Sequence, residues 1–212
     1  MPIFFQQDID GSTKLGVWKI EEDEAFFLAT VPLQREITHP HKRLQHLAGR
    51  YLLKHLFSDF PVELILIADT KKPYLEDEVY HFSISHCGSY AAVVVSKESR
   101  VGVDIEIVSQ KVERIRHKFV SETEWLTISE GWTESTAQLL NLQTLIWSCK
   151  EAGYKWYGQG GVDFREHMTV QHTTIGPDNR CETILLFKKN EALFLNLQSF
   201  FFENLCLSYV IT

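Results

Sequence analysis

The sequence predicts an α+β protein built as two similar α+β lobes in tandem, and three observations carry that prediction. An amphipathic helical pattern in the first half precedes a run of short alternating strands. The second half repeats that order, and no Pro-rich linker, low-complexity tract or short-period repeat interrupts either one. The halves meet near residue 105, which divides the chain into an N-terminal lobe over 1–105 and a C-terminal lobe over 106–212. In such a pseudo-dimer the active site is expected in the cleft between the lobes.

The elements follow in order. KLGVWKI over 14–20 reads as a strand, and EEDEAFFLA over 21–29 as a short helix with acids at its N-terminal end, where the helix dipole favours them. After His39-Pro40, the residues Leu44, Leu47, Ala48, Tyr51, Leu52 and Leu56 recur at three- and four-residue steps, an amphipathic helix through about Phe57. Strands are expected at 62–68, 79–85, 90–96 and 101–107, with the KKP turn between the first two. Helical patterns near 110–129 and 134–157 come next, then strands near 165–172, 182–188, 193–199 and 205–211.

Composition excludes several classes. With 44% hydrophobic residues in 212, the chain can bury a sizeable core. A formal net charge of −7 argues against a nucleic-acid partner bound through a general positive field. Cys87, Cys149, Cys181 and Cys206 are dispersed, with no CxxC pair, so they suggest neither a zinc site nor a disulfide framework and suit a reducing compartment. The opening MPIFFQQDIDG lacks a basic n-region, and no stretch approaches the ~20 apolar residues of a membrane span, so the expectation is a cytoplasmic protein without a membrane partner.

Two motifs carry chemistry. In VGVDIE over 101–106, Val101, Val103 and Ile105 alternate with Gly102, Asp104 and Glu106. One strand face is therefore apolar, and the other carries two carboxylates roughly 7 Å apart. Carboxylates taken out of water together repel each other and lose hydration, and a cation is what usually holds both charges; an isolated D-x-E also fits a strand end facing water. WSCKEAGYK over 147–155 lies on the longest helical pattern. There Leu139, Leu142, Ile146, Cys149, Gly153 and Trp156 form an apolar seam, with Trp147, Glu151 and Lys155 as a second stripe beside it. A Glu-to-Lys pair four apart is by itself an ordinary solvated helix face. The flanking Tyr154 and Trp156, and the GQGG turn at 158–161, argue against full exposure here.

VGVDIE with WSCKEAGYK beginning 43 positions after Asp104 resembles the bipartite signature of the 4′-phosphopantetheinyl transferase superfamily, in its two-lobed surfactin-synthetase-activating type. FSISHCG at 82–88 is similar to the family's Ser-His segment, and Lys72-Pro73 to its KP turn; by motif the resemblance covers roughly 40–165. It implies transfer of the 4′-phosphopantetheine arm of coenzyme A to a serine of an apo acyl or peptidyl carrier protein, a holo-acyl-carrier-protein synthase activity that releases adenosine 3′,5′-bisphosphate. Such phosphoryl transfer needs a cation on the pyrophosphate, donors for the remaining charge and a base near the attacking hydroxyl.

The resemblance assigns residues accordingly. Asp104, Glu106 and Glu151 are implied to hold Mg²⁺, with Mn²⁺ as a substitute and Glu151 reaching across the lobe interface. Asp104, Glu151 and Lys155 form the catalytic set. Glu151 is also a candidate base toward the carrier serine, a role the sequence does not separate from metal binding, while Lys155 stabilises charge on the transferring phosphate. Lys150 is a secondary candidate. Arg43, His46, Arg50 and Lys54 make a basic stripe, with Arg43 and Arg50 first for the 3′-phosphate. Lys72 is placed near the nucleotide and His86 beside the pyrophosphate, with Lys155, and Ser85 or Gly88 is a candidate contact to the cofactor through backbone amides. Cys87 follows His86, but neighbours on a strand point to opposite faces, so it and Cys149 are read as packing residues. Lys111, Arg114 and Lys118, with Arg116 and His117, form a basic rim suited to steering an acidic carrier. The first competing reading is a catalytically inactive, coenzyme A-binding regulatory module of the same fold; the second, ranked lower, is a metal-dependent hydrolase, for which this sequence supplies neither a third strong acid cluster nor a broad basic surface. A monomer is expected, because the duplicated lobes supply the interface that a half-sized relative makes by trimerising. Which carrier is served stays open.

Overall fold

The computed structural model describes residues 3–130, 132 and 135–212, and the architecture is α+β. The chain divides into two compact units, Met1–Val103 and Asp104–Thr212, each with its own apolar core.

The first unit contains β1 (Ile3–Asp8), β2 (Thr13–Lys19), α1 (Glu24–Leu28), α2 (Pro40–Leu56), β3 (Leu66–Ile67), β4 (Pro73–Tyr74), β5 (His81–Cys87) and β6 (Tyr90–Ser96). A four-stranded antiparallel sheet runs in the order β1-β2-β6-β5, while β3 and β4 form a separate two-stranded ribbon. Asp23 caps α1 by accepting from the Phe26 N–H at 3.0 Å. Pro40 opens α2 at a position that needs no N–H donor. The buried side of α2, with Leu47, Leu52, Leu53 and Leu56, packs among Trp18, Phe27, Val93 and Val95. Two glycines set how closely helix and sheet approach. A Cβ on Gly16 of β2 would meet Leu52 and Leu56 methyls at 3.2 Å, and one on Gly49 of α2 would stand 2.8 Å from Ile84 Cγ2.

The division falls within β7 (Val101–Ile107). The second unit continues through α3 (Lys111–Ile115), a 3₁₀ turn at Arg116–Lys118, α4 (Glu122–Ser129), α5 (Thr136–Tyr157), β8 (Met168–Ile175), β9 (Arg180–Phe187), β10 (Leu193–Phe202) and β11 (Leu205–Ile211). Its sheet runs β7-β11-β10-β9-β8. The expected seam residues Leu142, Ile146, Cys149 and Trp156 lie in one core with Leu185, Leu195, Cys206 and Val210. Ser135 caps the start of α5, and Gly158 ends it in the left-handed conformation at φ 73°, which is the role of the first glycine of GQGG.

Several expectations are corrected. The strand expected over 62–68 is a 3₁₀ turn at Val62–Leu64 followed by the two-residue β3. The helix expected over 110–129 is broken by the turn at 116–118, so its basic residues lie on separate short elements. Helix α5 begins at Thr136; residue 134, the first of the expected helix, lies outside the described residues. The strand expected near 165 begins at Met168, and β1 was not expected at all. Asp104, Glu106 and Glu151 all fall in the second unit, so Glu151 does not reach the strand acids from another lobe. Among the described residues no helix is long and apolar enough to cross a membrane.

Gly49→Ala should lower the chemical-denaturation midpoint. Overpacking against the stiff Ile84 branch costs about 1–3 kcal/mol and outweighs the roughly 1 kcal/mol that alanine adds within a helix. In an Ile84→Ala background the same change should stabilise, because the opposing methyl is gone.

Candidate functional site

Strand β7 and helix α5 build the site. Asp104 and Glu106 alternate onto one face of β7, and Trp147, Glu151 and Lys155 stand at successive four-residue steps along α5. Lys155 Nζ donates to Asp104 Oδ1 at 2.6 Å, and Trp147 Nε1 donates to Glu106 Oε1 at 3.0 Å. Glu151 lies between these two anchors on the helix. Its carboxyl is pushed up to about 7, first by burial and then by Asp104, with Lys155 opposing and Glu106 adding to the rise. The stripe is therefore no solvated face: Lys155 reaches to Asp104, which is only 3% exposed.

Burial comes first for Glu151. The charges of Asp104 and Glu106 add to the rise while Lys155 opposes it, so Glu151 holds its proton toward neutral pH. Among the described residues no three His, Cys, Asp or Glu side chains are drawn up as metal ligands. Instead Lys155 and Trp147 hold Asp104 and Glu106. The donor set nonetheless fits a hard divalent cation. It is all carboxylate, with no thiolate or imidazole, and its negative excess is what such an ion balances.

Lys150, the secondary candidate, faces away from this chemistry. It is fully buried, and its Nζ donates to Phe119 O at 2.6 Å, Glu124 Oε2 at 2.8 Å, Met168 O at 2.8 Å and Phe164 O at 3.2 Å. Glu124 Oε1 in turn accepts from the Val170 N–H at 2.7 Å. Burial lowers the ammonium's pKa and Glu124 opposes that shift. This staple ties α4, the start of β8 and the 164 loop to the helix that bears Glu151. A cavity of about 460 Å³ opens beside Glu151, walled by Trp147, Tyr154, Val162 and Phe164 with Lys118 at its edge. Trp147 packs against Phe119 and Phe164 at ring distances of 5.0 and 5.6 Å.

In the first unit the basic stripe of α2 is partly buried. Arg50 Nη1 lies 3.1 Å from His46 Nδ1, and Arg50 Nε donates to Gln34 Oε1 at 3.4 Å. Burial and then Arg35 press the Arg50 guanidinium down to about 10. Burial, Arg50, Arg35 and His86 hold His46 down to about 3, which keeps its ring neutral. Arg35, which the sequence reading missed, thus joins Arg50, His46 and His86 in one cationic neighbourhood. No spacing signal marked it, because it lies outside the helix. Arg43, a first choice for phosphate, is instead ion-paired to Glu24 at 2.7 Å and donates to Ile37 O at 3.4 Å. Lys72 lines a cavity of about 170 Å³ with Tyr74, Tyr80, His81 and Arg100; burial and then Arg100 bring its ammonium down to about 8. Ser85 is buried and alternates to the opposite face of β5 from the exposed His86, so a single ligand cannot receive both side chains from one face of the strand.

Cys149 is fully buried, its thiol pKa raised by burial, with Ser199 and Ser208 hydroxyls at 3.6 and 3.7 Å. It is a packing residue. Lys111, Arg114 and Lys118 are exposed, whereas the Arg116 guanidinium lies 4.5 Å from the Trp125 ring centre.

A family model described as the 4′-phosphopantetheinyl transferase superfamily matches residues 100–210. Enterobactin synthase component D of Salmonella austin is 34% identical over 120 residues, covering 54% of this chain and 47% of that protein. The 4′-phosphopantetheinyl transferase gsp of Aneurinibacillus migulanus is 30% identical over 118 residues, covering 54% and 46%. The 4′-phosphopantetheinyl transferase AcpT of Escherichia coli O157:H7 is 37% identical over 67 residues, covering 32% and 34%. The chain spans about half the length of the first two relatives.

Glu151 sets a pH dependence. Its folded value of about 7 exceeds its ordinary 4.5, so the folded protein holds the extra proton between them. The stabilisation is complete below about 4.5 and is lost as pH rises through about 7. Denaturation at pH 5 and pH 8 should show a decline that is smaller in Glu151→Gln by up to about 3 kcal/mol.

Proposed function

The chain belongs to the 4′-phosphopantetheinyl transferase superfamily, and we propose that it transfers the phosphopantetheine arm of coenzyme A to a serine hydroxyl of an apo acyl or peptidyl carrier protein, releasing adenosine 3′,5′-bisphosphate. The observation that carries the reading is the meeting of Asp104 and Glu106 with Glu151 and Lys155 inside the matched region.

Asp104, Glu106 and Glu151 would hold Mg²⁺ or Mn²⁺, and that ion would neutralise diphosphate charge. The rest is the work of the chain's own groups. Glu151, poised near neutrality, is suited to take the proton of the carrier serine hydroxyl. Lys155 presents an ammonium that can move from Asp104 to the phosphate being transferred. Trp147, Tyr154 and Phe164 wall the cavity beside Glu151 against water.

In the first unit, Arg50 with Arg35 and His86 is the better phosphate site, and Lys72 with Arg100 the nucleotide end. Arg43 and Ser85 take lesser parts. In the second unit, the exposed Lys111, Arg114 and Lys118 supply the positive rim for an acidic carrier. The reading includes the pseudo-dimer expected of the sequence, acting as a cytoplasmic monomer; each unit carries a sheet with a long helix packed against it. Glu151 and Lys155 beside the strand acids favour catalysis over the binding-only module.

Incubation with apo carrier, coenzyme A and Mg²⁺, followed by mass spectrometry of the carrier, should show the added arm. Chelation should abolish it, and Asp104→Asn or Glu151→Gln should slow it at least about 100-fold. An unmodified carrier with the wild-type protein would leave only the binding module. Lys111→Glu/Arg114→Glu should raise KM for the carrier about tenfold and leave coenzyme A affinity unchanged; parallel loss of both would remove the rim from the mechanism.

A further inference from the structure

We propose that the β3–β4 ribbon of the first unit is a docking surface for a cationic amphipathic segment of a second protein, one distinct from the carrier. The ribbon and the residues flanking it expose apolar surface out of proportion to their size. Leu64, Leu66, Ile67, Tyr74 and Val79 are 59%, 43%, 43%, 40% and 52% exposed, all within sixteen residues. Leu66 and Tyr74 are direct cross-strand partners and so share one face. A cavity of about 370 Å³ opens there, lined by Leu64 and Leu66 and rimmed by Glu63, Glu76 and Asp77. Leu64 and Leu66 in the cavity, with Tyr74 paired beside Leu66, make an apolar strip with a carboxylate rim, which is the form of a protein-binding groove.

The rim states the occupant's charge. Residues 59–78 carry six carboxylates against two lysines, and one of those, Lys72, is half-buried. Among the described residues no cation is ion-paired to Glu63, Glu76 or Asp77, which border the groove. A segment with leucine-like side chains on one face and lysine or arginine beside them would cover Leu64, Leu66 and Tyr74 and set its cations against that rim. An acidic carrier has the wrong sign. The inference therefore stands apart from the transfer reaction, and its test uses neither coenzyme A nor carrier.

The probe is a labelled, designed Leu/Lys amphipathic helix of about eighteen residues, with a Leu/Glu helix of equal length as comparison, titrated with the full chain by fluorescence anisotropy. The Leu/Lys helix should bind, and the Leu/Glu helix should not. Glu63→Lys/Glu76→Lys/Asp77→Lys should weaken binding at least about tenfold, and Leu66→Ser similarly. Because these side chains are exposed, unchanged thermal melting should confirm that each variant folds. A control with the same charge change in the second unit, Glu166→Lys/Glu182→Lys/Glu191→Lys, should stay within about twofold of wild type. Equal loss in that control would show attraction to net negative charge alone and overturn the proposal. Binding of both helices, or of neither, would overturn it too.

Discussion

The buried Glu151 carboxyl, beside Asp104 and Glu106 and opposed by Lys155 where side chains of α5 reach those of β7, is the constraint on which the second unit depends. That arrangement is costly in a folded chain, because each charge has lost part of its hydration and the nearest neighbours repel. It persists because α5 is held from every other side. Its seam is buried among Leu185, Leu195, Cys206 and Val210, its start is capped by Ser135, and its end is turned by Gly158. A helix anchored so firmly can hold a carboxyl in unfavourable company, and unfavourable company is what brings Glu151 near the pH at which a proton is readily exchanged.

The two units treat buried cations differently. Lys150 is closed within four oxygen partners and has no donor to offer a ligand, so its charge serves packing. Arg50 meets a neutral histidine and a glutamine oxygen, with a second guanidinium close enough to depress its own proton affinity. An anion would relieve that crowding. The same cationic chemistry is thus sealed by oxygen partners in one unit and crowded by a second guanidinium in the other, and the partners, not the residue type, decide which.

Much of this was legible in the sequence where period and spacing speak. The seam of α5, the stripe of Trp147, Glu151 and Lys155, and the strands expected at 79–85 and 101–107 follow from regular alternation, and the structure has strands at His81–Cys87 and Val101–Ile107. Less was legible where long-range pairing decides. Nothing local says that Glu124 answers Lys150 across 26 positions, or that Glu24 claims Arg43. A periodic stripe also cannot show which of its members are buried, so Arg43, His46, Arg50 and Lys54 read as one basic face whereas His46 and Arg50 are buried. The break at 116–118 and the short β3 belong to segments too brief for periodicity to register.

Lys150 and Glu151 are neighbours in the chain, yet one is sealed among carbonyl oxygens and the other looks toward Asp104. About 100° of helical turn separates them. A slip of α5 by one residue in one direction would carry the Lys150 ammonium toward the acids and leave the oxygen nest to Cys149, and a slip in the other would press the Glu151 carboxyl into that nest. Either is prohibitive, so the adjacent pair acts as a rotational lock, indexing the helix to one angular setting.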